Sequence, residues 1–176
     1  MSITMQDLRT EELVIAELEQ LDVTYLSRLF ETKPGQSLTP HQLLAKLIQQ
    51  PSSRVRAALI SLLLAHPEYA RHATAALGLL QDNHAQQFKF FYTAAVYLQV
   101  QFESSLRVFM NTRYQTLPDL FSKELKIEGN TPLEKLRSLA YLHSKWNGLH
   151  LNWAGTYQNA ALHLLRRWKL EKQWNL

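Results

Sequence analysis

Apolar residues recur at three- and four-residue spacing along most of this chain, and alternation with a period of two is nearly absent. That spacing gathers side chains on one face of an α-helix, so the pattern predicts helices throughout and almost no strand. Between Met5 and Leu21 the residues Leu8, Leu13, Ile15, Leu18 and Leu21 stand among acids, the mark of a short amphipathic helix. Asp22 is placed to cap a second helix with Tyr25, Leu26, Leu29 and Phe30 on its apolar face. Lys33-Pro34-Gly35-Gln36 is the clearest break in the first half. Thr39-Pro40 then reads as an N-cap followed by proline in the first turn, where the missing N–H costs nothing. The helix it starts runs through Leu43, Leu44, Leu47 and Ile48 and is stopped by Pro51.

Ser52 or Ser53 caps the next helix, whose stretch from Ala57 to Ala65 is apolar nearly all round and therefore belongs at the centre of a bundle. Pro67 ends or kinks it, and Glu68 to Leu80 is expected to continue as another helix. Ala85 to Arg113 is the longest uninterrupted candidate, with Phe88, Phe91, Ala95, Leu98, Phe102, Leu106 and Phe109 in register over about eight turns. Leu117-Pro118-Asp119 breaks it, a short helix is expected around Leu120 to Lys126, and Glu128-Gly129-Asn130 is a turn. Thr131-Pro132 repeats the cap-and-proline device. It opens a final stripe of Leu139, Leu142, Trp146, Leu149, Trp153, Tyr157, Ala160 and Leu164, which Gly155-Thr156 is expected to divide.

These segments add up to an all-α fold, an irregular multi-helix bundle of about seven to nine helices. Two long helices, over 86–113 and 132–154, are expected to pair antiparallel at its centre. The length of 176 residues fits a single domain over 1–176. Any subdivision falls near 114–131, separating an N-terminal helical part (1–114) from an aromatic, basic C-terminal part (131–176).

Composition narrows the picture. With 46% hydrophobic and 19% charged residues and five glycines, wholesale disorder and fibrous classes are excluded. No cysteine is present, which removes disulfides, thiolate catalysis and cysteine-based zinc or iron–sulfur sites. The longest small or apolar run, Ala57 to Ala65, is under half of the roughly 20 residues that a bilayer requires. The first residues lack the charged-then-apolar pattern of a signal peptide, so a cytoplasmic protein is the expectation. Net charge is +4 but uneven: residues 1–35 hold seven acids against three bases, and residues 123–176 hold nine Lys/Arg against four Glu. Opposite ends of that kind can dock on each other, or offer a basic surface to an acidic partner or nucleic acid.

Catalytic signatures are scarce. No two histidines are four apart, and His143 and His150 are seven apart, too far to share an ion on one helix. Glu68 and His72 form a single carboxylate–histidine pair, short of what builds a di-metal bundle. Phosphate-cradling glycine loops and a nucleophile elbow are missing as well. No cofactor or metal is expected, and the chain reads as non-enzymatic.

Three groups of residues remain. Arg137 and His143, separated by five residues in an expected helix, spell a short motif. It resembles the Arg-x(4–6)-His signature of the HEPN superfamily, small helical bundles that include RNase toxins and partners of minimal nucleotidyltransferases. The resemblance covers seven residues, and it implies an RNA-cleaving or toxin–antitoxin protein in which arginine stabilises phosphorane charge and histidine moves a proton. On a straight helix the two side chains stand about 120° apart, so a shared site needs a bend or a second protomer. The second group is the tail of Arg166, Arg167, Trp168, Lys169, Lys172 and Trp174, fit to dock on a protein partner, self-associate or contact phosphates, or equally to close the C-terminal helix on its own core. The third is Tyr97, Trp146, His150, Trp153 and Tyr157, an aromatic inventory for a small-molecule pocket or an ordinary core. The leading expectation is a helical adaptor or regulatory subunit, acting through the C-terminal surface as a complex or homodimer. The HEPN-like enzyme and the ligand-binding bundle are the alternatives.

Overall fold

A computed structural model describes residues 5–23 and 37–174. Among them the chain forms eight α-helices, two short 3-10 segments and no strand, an all-α multi-helix bundle as the periodicity predicts. In chain order these are α1 (Met5–Gln20), α2 (Pro40–Ile48), α3 (Ser53–Ala65), α4 (Ala73–Leu77), α5 (Asp82–Gln101), α6 (Glu103–Met110), α7 (Pro132–Asn147) and α8 (Trp153–Trp174). The helix expected at Tyr25–Phe30 and the break at 33–36 lie outside the described residues.

At the centre is α3. Every residue from Ala57 to Ala65 is buried, and α2, α5 and α8 pack around it. A helix apolar on all sides can do this because its backbone polar groups are satisfied along its own axis. Its one buried hydroxyl, Ser61, donates to the Ala160 carbonyl of α8 at 3.1 Å. At its end His66 bonds the Leu21 carbonyl through Nε2 at 2.7 Å and Glu68 through Nδ1 at 3.0 Å, tying α1 to the α3 terminus. Across the bundle, α5 and α7 run antiparallel: Phe90 stacks on His143 at 4.5 Å, while seven residues on, Tyr97 lies under Lys135 at 5.8 Å.

Both proline-marked starts work as helix N-termini. Gln42 Oε1 accepts from the Thr39 amide at 3.0 Å ahead of α2. Ahead of α7, Thr131 Oγ1 accepts from the Glu134 amide at 3.2 Å. The Glu134 carboxylate accepts from the amides of Asn130 (2.8 Å) and Thr131 (3.2 Å), which hold it below the ordinary carboxylate range.

The expected continuous helix over 86–113 is interrupted. Phe102, at φ −106° and ψ 18°, ends α5 and begins α6. Gln99 is buried at this point, donating to the Gln115 carbonyl (2.8 Å) and accepting from the Leu117 amide (2.7 Å). Beyond the break Leu106 and Met110 are buried, and Phe109 meets Trp168 of α8 at 5.7 Å. Apolar spacing carries through such a turn unchanged, so the switch of packing partner leaves no trace in it. Residues 68–80 likewise form a 3-10 segment (Pro67–His72) and the brief α4 instead of one helix. Around 120–126 there is a single turn, closed where Lys126 adopts φ 54° and the Ile127 amide reaches the Ser122 carbonyl at 3.1 Å.

The last segment divides earlier than expected. Gly148, at φ 67°, ends α7, and α8 starts at Trp153 with Asn152 as its cap, Oδ1 accepting from the Gly155 amide at 2.9 Å. Gly155 is the residue that leaves room for this: a Cβ there would stand 2.5 Å from Asn152 Nδ2. Asn152→Ala is therefore expected to destabilise the protein by about 1 kcal/mol, measured by urea denaturation, with a smaller loss for Thr156→Ala. Equal effects would move the helix start back to Gly155-Thr156.

Candidate functional site

Where α5, α7 and α8 converge, a histidine is sealed in an aromatic box. His143, 0% exposed, is stacked between Phe90 (4.5 Å, 8° between planes) and Trp153 (3.7 Å, 21°), with Phe91 edge-on at 5.7 Å. Its Nδ1 bonds the Tyr157 hydroxyl at 2.5 Å. That phenol is fully buried, which raises its pKa well above the ordinary value and keeps its proton on. The hydroxyl proton needs an acceptor, so we assign Nδ1 as the acceptor and place the imidazole hydrogen on Nε2. His143 Nε2 and Trp153 Nε1 have no partner among the described residues. Burial, reinforced by the positive charge of Arg56, lowers the His143 pKa to about 3, so the ring is neutral at physiological pH.

Arg56 was not singled out by the sequence. Its Nη1 donates to the carbonyls of Gln50 (2.6 Å) and Pro51 (2.8 Å), clamping the α2–α3 connection. The Arg56 Nε, Gln50 Oε1 and Thr93 Oγ1 are buried without partners. No spacing rule marks such residues, because what distinguishes them is the company that tertiary packing gives them.

Next to the aromatic box, α7, α8 and their connection flank an open pocket of about 490 Å³. It is lined along one stretch of chain, by Ala140, Tyr141, Ser144 and Lys145 of α7, by Gly148, His150, Leu151 and Asn152 of the connection, and by Trp153 and Ala154 of α8. Of the aromatic group expected to form a pocket, His150 and Trp153 line this one. Tyr157 lies in the core and Trp146 flanks His143 at 5.9 Å. Tyr97 is buried near the other end of α5, hydroxyl to hydroxyl with Ser122, and burial raises its pKa. One signal for the site was available: Asn147-Gly148 is a helix stop, and Asn152 a helix start.

Arg137 and His143 share α7 but not an environment. Arg137 is exposed, whereas His143 is sealed in the core. In the tail, Arg167 pairs with Asp22 Oδ1 (2.5 Å) and Glu171 (2.6 Å), joining the basic end of the chain to the acidic one. Trp168 is half-buried on Phe109. Arg166, Lys169, Lys172 and Trp174 remain exposed. Among the described residues no group of three His, Asp or Glu is placed to hold a metal ion, and no helix is long and apolar enough to cross a membrane. Compared with protein-family models, curated proteins and solved structures, the chain matches none.

The neutral His143 makes a pH prediction. An unfolded histidine has a pKa near 6.5, so between about pH 6.5 and pH 3 the unfolded chain binds a proton that the folded one does not. Stability from this group is full above about pH 6.5 and declines as pH falls through that window, by up to about 1.4 kcal/mol per pH unit. Tyr157→Phe is expected to cost about 1–3 kcal/mol by orphaning Nδ1. The double change His143→Phe/Tyr157→Phe should recover much of that loss and flatten the decline between pH 7 and pH 5, read from urea midpoints.

Proposed function

We propose that this chain is a non-enzymatic helical interaction protein that docks on a partner through the exposed C-terminal end of α8. The observation that supports this reading is a stripe at four-residue spacing, Arg166, Leu170 and Trp174, in which Leu170 is 53% and Trp174 85% exposed. Lys169 and Lys172 flank it. The helix is held without the stripe, since Trp168 packs on Phe109 and Arg167 grips Asp22. A large, mostly exposed apolar pair flanked by cations matches the composition of interface anchors, where Trp and Arg dominate binding energy. The complementary surface is an apolar cleft with an acidic rim, on another protein or on a second copy of this chain.

An RNA-cleaving role built on Arg137 and His143 draws no support from this geometry, because the histidine is neutral, sealed and bonded to Tyr157. A second reading, binding of a small molecule, is favoured by the pocket beside Trp153.

The interaction reading is tested with Leu170→Ala/Trp174→Ala. Both side chains are exposed, so stability should stay within about 0.5 kcal/mol of the parent. Light scattering and pull-down of copurifying protein should show self-association or a bound partner for the parent and its loss in the variant. An uncomplexed monomer in both cases would overturn the proposal.

A further inference from the structure

We propose that the pocket between α7 and α8 binds a small organic anion, a planar apolar body carrying a carboxylate or a phosphate. The volume of 490 Å³ falls in the range of small-ligand sites, about 300–1,000 Å³. Depth is set by burial. Trp153, 2% exposed, and Ala140 are at the inner end, while Tyr141, Lys145, His150 and Leu151 are exposed and form the mouth. The inner end is therefore aromatic and apolar, suited to the flat face of a ring.

The polar groups select the sign of charge. Lys145 and His150 line the pocket, no Asp or Glu does, and neither makes an ion pair among the described residues. The start of α8, a helix of 22 residues, opens at Asn152–Ala154 and adds the positive end of its dipole. Trp153 is stacked on His143 at 3.7 Å, which holds its ring at the inner end. Tyr141, at 66% exposure, stands at the mouth as a second ring able to close over a bound aromatic.

This inference is independent of the α8 tail, which lies at the other end of the helix. It is tested by calorimetric titration of the full chain with benzoate and with phenyl phosphate, against benzyl alcohol and inorganic phosphate as single-feature controls. The expected result is saturable binding of both aromatic anions, at least about tenfold tighter than either control. Lys145→Ala/His150→Ala, two exposed positions, should weaken it by about tenfold or more while the melting temperature is unchanged. Ala154→Leu, which narrows the pocket without touching a charge, should weaken it as well. The proposal is overturned if neither anion saturates, if benzyl alcohol or inorganic phosphate binds as tightly, or if both variants bind like the parent.

Discussion

A helix that is apolar on every side is stable only when every side is covered, and α3 imposes that condition on the whole molecule. Its buried residues from Ala57 to Ala65 need a wall of helices, and α2, α5 and α8 supply it. Each of those, having spent one face on α3, presents another to α4, α7 or α6. The connection leading into α3 is fixed by Arg56 on two carbonyls, and its exit by His66 on Leu21 and Glu68. Ser61 reaching the Ala160 carbonyl sets where α8 crosses α3. From that crossing follow the positions of both ends of α8: Trp153 against His143 at one, Trp168 against Phe109 at the other.

The aromatic box shows how the bundle handles polar groups in its interior. A charged imidazole between Phe90 and Trp153 would be costly, and burial resolves this by keeping His143 neutral. One ring nitrogen is bonded to Tyr157, an arrangement that locks α7 to α8 through two side chains rather than through backbone. His143 Nε2 and the Trp153 indole N–H are left without partners among the described residues, and the Trp153 ring that stacks on His143 also lines the pocket.

The two candidate surfaces are at opposite ends of α8, separated by about 33 Å for 22 residues. One is a pocket lined by Trp153, Lys145 and His150; the other is an exposed stripe ending in Trp174. Between them α8 packs on α3, α5, α6 and α7.

Much of the architecture was legible in the chain. Periodicity alone determines that the protein is all-helical, that 57–65 is central, and that proline-marked caps begin α2 and α7, because helix formation and capping depend on residues within a few positions of each other. The acidic start and basic end were legible as charge, though only the fold shows Asp22 meeting Arg167 across 145 residues. Tertiary structure decided the rest. The spacing of Phe102, Leu106 and Phe109 is the same whether the helix bends or not, and the bend exists because Gln99 is clamped to a distant loop. Gly155 looked like a break and is instead the space required by the Asn152 cap. His143 was paired with Arg137 by spacing and is sealed in the core, whereas Arg137, six residues away, is exposed. Burial is a property of what lies opposite a residue, and nothing within one helix records it.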